Sequence, residues 1–150
     1  MNFALKTILV LLTIVCSSAA SPGSTEVQSA VQKVARDYIY SWYTGDARLM
    51  EATIHPSLVK RSVLVNPSVT LAEESAQELL RKTAAGGASR RVAVEERTFE
   101  ILDFSAGRSI AQVRIRAARW DELLHLVQLN GEWKIVNVLW EMHSKELGDE

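Results

Sequence analysis

The chain has 150 residues, 47% of them hydrophobic and 23% charged, with a formal net charge of −1 and a single cysteine. That is enough chain for one domain with its own core, and the near-neutral charge, with no basic stripe interleaved with aromatics, excludes a nucleic-acid-binding surface. One cysteine excludes an internal disulfide and any cysteine-rich metal centre.

Residues 1–20 read as an export signal rather than as part of a fold. Lys6 and the start amine supply positive charge, Ile8 to Cys16 form a short apolar core, and Ser18-Ala19-Ala20 place small residues where a signal peptidase cuts. The apolar run falls short of the ~20 residues that span a bilayer, so no stable membrane anchor is expected. Thr13-Ile14-Val15 lack the small residues that lipid attachment at Cys16 would need. Cleavage after Ala20 would leave 130 residues, a net charge of −2 and no thiol, in the periplasm or the medium. An exported chain without disulfides must be held by packing alone.

Residues 21–24 are expected to be a short disordered leader, 25–145 the folded domain and 146–150 a flexible tail. Thr25-Glu26-Val27-Gln28 fits a capping box, after which Val27, Val31, Val34, Tyr38 and Trp42 recur on one apolar helical stripe. Gly45 ends this helix, and Asp46 caps a second through Ala47 to Thr53, closed by His55-Pro56. Leu58 to Val65 is rich in β-branched residues and is punctuated by Asn66-Pro67. The cluster of Ala76, Leu79 and Leu80 predicts a third helix from about Leu71 to Ala84, closed by Gly86-Gly87. Alternating stretches then cover Arg91–Asp103, Arg108–Ala117, Asp121–Leu129 and Trp133–His143, with turns at Ser105-Ala106-Gly107 and Asn130-Gly131. Helices followed by an antiparallel meander define an α+β class.

Asn130-Gly131 is the signature of a hairpin with a type I′ turn, and a two-residue loop fixes register. Straight pairing sets His125 against Val136, Leu123 against Val138 and Asp121 against Trp140, so that Asp121, His125, Val136, Val138 and Trp140 share one face. The opposite face, with Leu124, Leu126, Ile135 and Leu139, is apolar as well. Three helices can cover only one side of a four- or five-stranded sheet, so the outer side is expected to pack on a second copy in an isologous homodimer.

The segments SWYTGDARLMEATIHPSLVKR, Ser41 to Arg61, and LHLVQLNGEWKIVNVLW, Leu124 to Trp140, together resemble the putative lumazine-binding family of the nuclear transport factor 2-like superfamily. The resemblance runs over the whole chain after the signal. It implies a cone: N-terminal helices on a curved antiparallel sheet, with a cavity between them and frequent dimers. Relatives of the polyketide-cyclase type carry pocket residues on the last strand, and that pattern puts Val136, Val138 and Trp140 toward the cavity. Their catalytic aspartate falls on Trp140 here, which leaves that reaction without its acid. Superfamily members include isomerases, dehydratases and non-catalytic binders, so fold membership does not decide function.

Two residues are candidate proton-transfer groups. Asp121 in an apolar cone would have its pKa raised by desolvation and act as a general base; the plainer reading is a strand-start carboxylate paired with Arg119 or another cation. His125 would serve as an acid/base or as a donor to a ligand carbonyl; the plainer reading is a core histidine with one internal hydrogen bond. Four strand residues separate the two by roughly 13 Å at ~3.3 Å per residue, so they form no dyad.

Tyr38 and Trp42 are read either as stacking surfaces for a flat ligand or as ordinary core aromatics. His55 and Arg61 join the binding set, Arg61 as an anion-binding group if it turns inward and otherwise as part of a basic edge with Lys60. The spacing of His55, His125 and His143 fits no metal site, and there is no nucleophile elbow or phosphate-binding loop, so no metal or cofactor is expected.

The resulting expectation is an exported, non-catalytic binder of a small apolar or aromatic molecule, contacted by Tyr38, Trp42, His55, Arg61, His125, Val136, Val138 and Trp140. Two alternatives stand beside it: an isomerase- or dehydratase-like enzyme using Asp121 or His125, and a dimeric structural or partner-binding module with a collapsed cone.

Overall fold

The computed structural model describes residues 22–65 and 68–143. The expected signal, the carboxy-terminal tail and the Asn66-Pro67 punctuation lie outside the described residues. Helix α1 (Pro22–Thr44) starts earlier than the capping box suggested, so residues 22–24 are helical rather than a leader. Proline suits a first helical turn because its missing N–H would have no partner there. The helix turns Val31, Ala35, Tyr38 and Ile39 into the core. Gly45, at φ +76°, ends it, and Asp46 caps α2 (Ala47–Thr53) by accepting from the Leu49 N–H at 3.0 Å.

Strand β1 (Ile54–Val65) is followed by β2 (Val69–Ser75) and α3 (Ala76–Ala84). The third helix therefore begins at Ala76, not near Leu71. Residues 71–75 instead complete an antiparallel pairing with β1, from Val65 against Val69 to Val59 against Ser75. Strand pairing thus claims the β-favouring Val69-Thr70-Leu71 run, and Ser75 starts the helix with a full capping box, its hydroxyl accepting from the Glu78 N–H.

A glycine-containing turn region leads to β3 (Phe99–Ala106), which begins later than the expected stretch from Arg91. Then β4 (Ile110–Ala117), β5 (Trp120–Leu129) and β6 (Glu132–Met142) follow. The curved sheet has six strands in the order β2-β1-β6-β5-β4-β3, and all neighbours are antiparallel except β1 and β6. The α+β class and helix-on-curved-sheet architecture are as expected, with one parallel pair that a meander lacks.

The β5–β6 hairpin departs from straight pairing. Asn130 (φ +52°) and Gly131 (φ +87°) make the expected turn, and Leu129 opposite Glu132 and Val127 opposite Lys134 hold. Leu126 then pairs with Ile135, but His125 pairs with Asn137, leaving Val136 as a bulge. Beyond it Leu124 opposes Val138, Leu123 opposes Leu139, Glu122 opposes Trp140 and Asp121 opposes Glu141. The pairings expected for His125, Leu123 and Asp121 are each off by one, and a slip of one residue exchanges the two faces. The β1–β6 pairing is irregular at the same level, between Ile54 opposite Ile135 and Val59 opposite Asn137.

The concave face therefore carries Trp120, Glu122, Leu124 and Leu126 from β5 and Ile135, Val138 and Trp140 from β6. Together with Val113 and Ile115 of β4 they pack against α1. The outer face carries Asp121, Leu123 and His125.

Candidate functional site

Within the cone, three elements bring three polar side chains together. Tyr38 comes from the buried stripe of α1. Lys60 lies on β1 between Leu58 and Ser62, opposite Val138 of β6 and Glu74 of β2. Glu122 lies on β5 two residues from Leu124. The Lys60 ammonium donates to Glu122 Oε1 at 2.5 Å and to the Tyr38 hydroxyl at 2.8 Å. The Tyr38 hydroxyl in turn lies 3.4 Å from Glu122 Oε1. Both charged side chains are almost sealed, with 8% of Lys60 and 1% of Glu122 exposed.

Aromatic faces complete the ammonium's surroundings, with ring centroids at 5.4 Å for Tyr38, 5.8 Å for Trp42 and 5.3 Å for Trp140. Burial, followed by the charge of Glu122, pushes the Tyr38 phenol well above its ordinary value, so it stays a neutral hydroxyl. Glu122 Oε2 is buried with no hydrogen-bond partner, and so is Glu74 Oε1. A carboxylate oxygen without a donor is an acceptor waiting for one.

A cavity of about 440 Å³ opens over this group. Trp42, Trp120 and Trp140 supply its flat walls, Lys60 and Glu122 its polar floor, and α3 with the following turn one side. That turn is seated on the end of α1: the Ala88 N–H donates to the Trp42 carbonyl at 2.9 Å. Gly87, at φ +53°, approaches so closely that an added Cβ would lie 2.2 Å from the Trp42 carbonyl oxygen. Opposite, the Tyr43 hydroxyl donates to the Thr98 carbonyl at 2.7 Å and accepts from the Ala118 N–H at 3.0 Å, and the ring lies 5.5 Å from Trp120. The helix end and the cavity wall are thus fixed to each other.

Of the residues expected at the site, Tyr38, Trp42 and Trp140 gather here, and Val138 is buried beneath them. The others lie elsewhere. Asp121 is on the outer face, where Arg116 Nε donates to its carboxylate at 3.1 Å and His143 Nε2 lies 3.1 Å away. Burial would raise its pKa, but the hydrogen bonds from Arg116 and His143 outweigh that and hold it below the ordinary carboxylate value. The arginines beside it are Arg116 and, at 3.8 Å, Arg114, rather than Arg119.

His125 is exposed on the outer face, its Nδ1 3.3 Å from the Asn137 amide nitrogen, and with Val136 it lines a shallow outer hollow. Arg61 also points outward, bound to Glu73 and to Asn137 Oδ1 at 2.8 Å each. His55 Nδ1 accepts from the Ser57 N–H at 3.1 Å in a local turn. Among the described residues no group of three or more His, Cys, Asp or Glu is placed to hold a metal ion, and no helix is long and apolar enough to cross a membrane.

Sequence reasoning missed Lys60 and Glu122, each the immediate chain neighbour of a residue it chose. The signal was present. Glu122 alternates with Trp120, Leu124 and Leu126, and Lys60 with Leu58, so each shares the face of its apolar neighbours.

Helices on a curved six-stranded sheet, with a cavity between them, give this protein the nuclear transport factor 2-like fold. Three solved structures share the architecture. A nuclear transport factor 2-like protein of unknown function from Silicibacter pomeroyi is 15% identical, with 80% of this chain and 98% of that one covered at a TM-score of 0.69. Its counterpart from Shewanella baltica is 17% identical, with 79% and 95% covered at 0.65. A ketosteroid isomerase-like protein from Erwinia carotovora atroseptica is 18% identical, with 77% and 95% covered at 0.55. At these identities the likeness is one of fold. No curated protein matches the sequence. The family described as "Putative lumazine-binding" matches residues 26–141, and the chain belongs to it.

Proposed function

We propose that this protein is an exported, non-catalytic binder that takes one small, flat, largely aromatic molecule into the cone. The observation that carries this reading is the cavity of about 440 Å³ walled by three tryptophans over a polar floor. Such a volume suits a single small ligand, and apolar walls with a few placed polar groups are how such sites hold one. The family's description points to the same kind of molecule, a fused-ring heteroaromatic. Export rests on the character of residues 1–20. The outer sheet face, with Leu71, Ile110 and Leu123 exposed, supports pairing with a second copy, which light scattering would register as a dimer.

Titration with lumazine and a panel of fused-ring aromatics tests the binding reading. A bound ligand is expected to quench tryptophan fluorescence saturably and to raise Tm in proportion to its concentration over Kd. Trp140→Ala should weaken both effects. Absence of saturable binding across the panel would overturn the reading.

One observation favours a second reading, a proton-transferring isomerase or dehydratase: Glu122 lines the cavity with a bare carboxylate oxygen. The role expected of Asp121 or His125 would then pass to Glu122. Deuterium exchange into an enolisable ligand, abolished by Glu122→Gln, would establish that reading over the first.

A further inference from the structure

We propose that the cavity selects an acid: a flat aromatic or heteroaromatic molecule with an anionic group at one end and an N–H or O–H donor at the other. This rests on the binding reading above and names the chemistry it selects.

The charge at the cavity is lopsided. Six cationic side chains line it, Lys60, Arg81, Lys82, Arg90, Arg91 and Arg119, against the two carboxylates Glu74 and Glu122. The chain as a whole carries −1, so this positive surplus is local and not a consequence of a basic protein. Three of the six are committed, Lys60 to Glu122, Lys82 to Glu74 at 3.0 Å and Arg119 to Glu96 at 3.2 Å. Arg81, Arg90 and Arg91 are exposed at the mouth, and none of them makes an ion pair with the described residues. Unpaired cations around a low-dielectric cleft focus its field on an entering anion.

Two of these arginines stand on a braced turn. Arg97 donates to the Ser89 carbonyl at 2.9 Å and to the Val92 carbonyl at 3.1 Å, spanning the pair Arg90-Arg91. Gly87 and Ala88 pin the same turn to Trp42. A guanidinium on a fixed backbone loses less freedom when it forms its paired hydrogen bonds to a carboxylate or phosphate.

At the other end, Glu122 is 2% exposed and its Oε2 has no donor. Lys60 fills Oε1 only. A ligand donor reaching Oε2 would satisfy a buried charged acceptor, while Trp42 and Trp140 beside the ammonium receive the ring body. The two ends of the site therefore ask for opposite functions in one molecule.

The test uses a matched set: 6-hydroxy-2-naphthoate, its primary amide, 2-naphthoate lacking the hydroxyl, and 2-naphthyl phosphate, each titrated by calorimetry against the wild type and the Arg90→Gln/Arg91→Gln variant. Both substitutions are at exposed positions, and circular dichroism confirms the fold. The hydroxynaphthoate is expected to bind at least about tenfold tighter than its amide, the scale of one charge-assisted pair. That advantage should shrink with added salt, since screening acts within about 8 Å at physiological ionic strength, and should largely vanish in the double variant. Loss of the hydroxyl should weaken binding about fivefold or more. The phosphate should follow the carboxylates in its response to salt and to the variant. Equal binding of acid and amide, or an acid advantage untouched by removal of the arginines, would overturn the proposal while the pocket reading stood. Failure of acid and amide alike to bind would remove both.

Discussion

Removal of the Lys60 ammonium is the sharpest probe of this interior. In Lys60→Met the side-chain length is kept and the charge is lost, so Glu122 keeps a buried carboxylate with one oxygen already without a donor and the other left with a hydroxyl at 3.4 Å. Breaking one side of a buried ion pair destabilises by about 3–5 kcal/mol. With both side chains almost sealed, a loss of about 3 kcal/mol or more is expected. In the double variant Lys60→Met/Glu122→Leu no charge is stranded, and stability should return to within about 1 kcal/mol of the wild type. Urea unfolding followed by the fluorescence of the four tryptophans, at fixed protein concentration, measures all three free energies. The coupling from the cycle should exceed about 1.5 kcal/mol. A loss below ~1 kcal/mol in Lys60→Met, or single effects that simply add, would refute the premise that this pair is buried and mutually dependent.

Gly87→Ala should cost about 2 kcal/mol or more, because it adds a steric collision with the Trp42 carbonyl to an unfavourable backbone angle. Gly131→Ala, with a positive φ but open space around it, should cost only about 1 kcal/mol, and the difference in urea midpoints isolates the collision. Asp121 has a folded pKa below its unfolded one, so its contribution is present above about pH 4 and lost as the pH falls through the folded value. Asp121→Asn should accordingly lower the urea midpoint at pH 7, and by progressively less as the pH falls below about 4. Tyr38 has the opposite sign: its contribution is complete below about pH 10 and declines as the pH rises further. In an alkaline titration the phenolate absorbance of Tyr38 should appear together with unfolding, and in Tyr38→Phe that coupled component should be smaller, leaving the part from Tyr43, which burial also raises.

The parts of the fold governed by local chemistry were legible. Gly45 and Asp46 announced the junction of α1 and α2, and Asn130-Gly131 announced the last hairpin. The boundary between β2 and α3 was legible too, in the Ser75–Glu78 capping pattern, but the reading rested on the apolar cluster of α3 alone and did not use it. The site was half legible. Aromatic residues on the α1 stripe led to the cavity because helical spacing depends on one chain only. Which residues of β5 and β6 faced inward depended on Val136, whose bulge is set by how β6 fits β1 and β5 together and leaves no mark of glycine or proline in the sequence. Asp121 and His125 were chosen from the right strand and the wrong face. Lys60 was passed over because a charged residue in an extended run reads as solvent-facing, and only its partner on a strand 62 positions away makes its burial tolerable.

The bulge at Val136 also gives β6 a parity. Between the turn and the bulge its odd-numbered residues, Trp133 and Ile135, face inward; beyond it the even-numbered ones do, Val138, Trp140 and Met142. Loss of the single bulged residue would leave a regular strand that still turns Val138 and Trp140 inward, whereas straight pairing with Val136 retained would present Leu139 and Glu141 to the cavity in their place. The interior contents of the cone are therefore set by whether the extra residue is taken up as a bulge, and they can be exchanged without altering any residue that lines it.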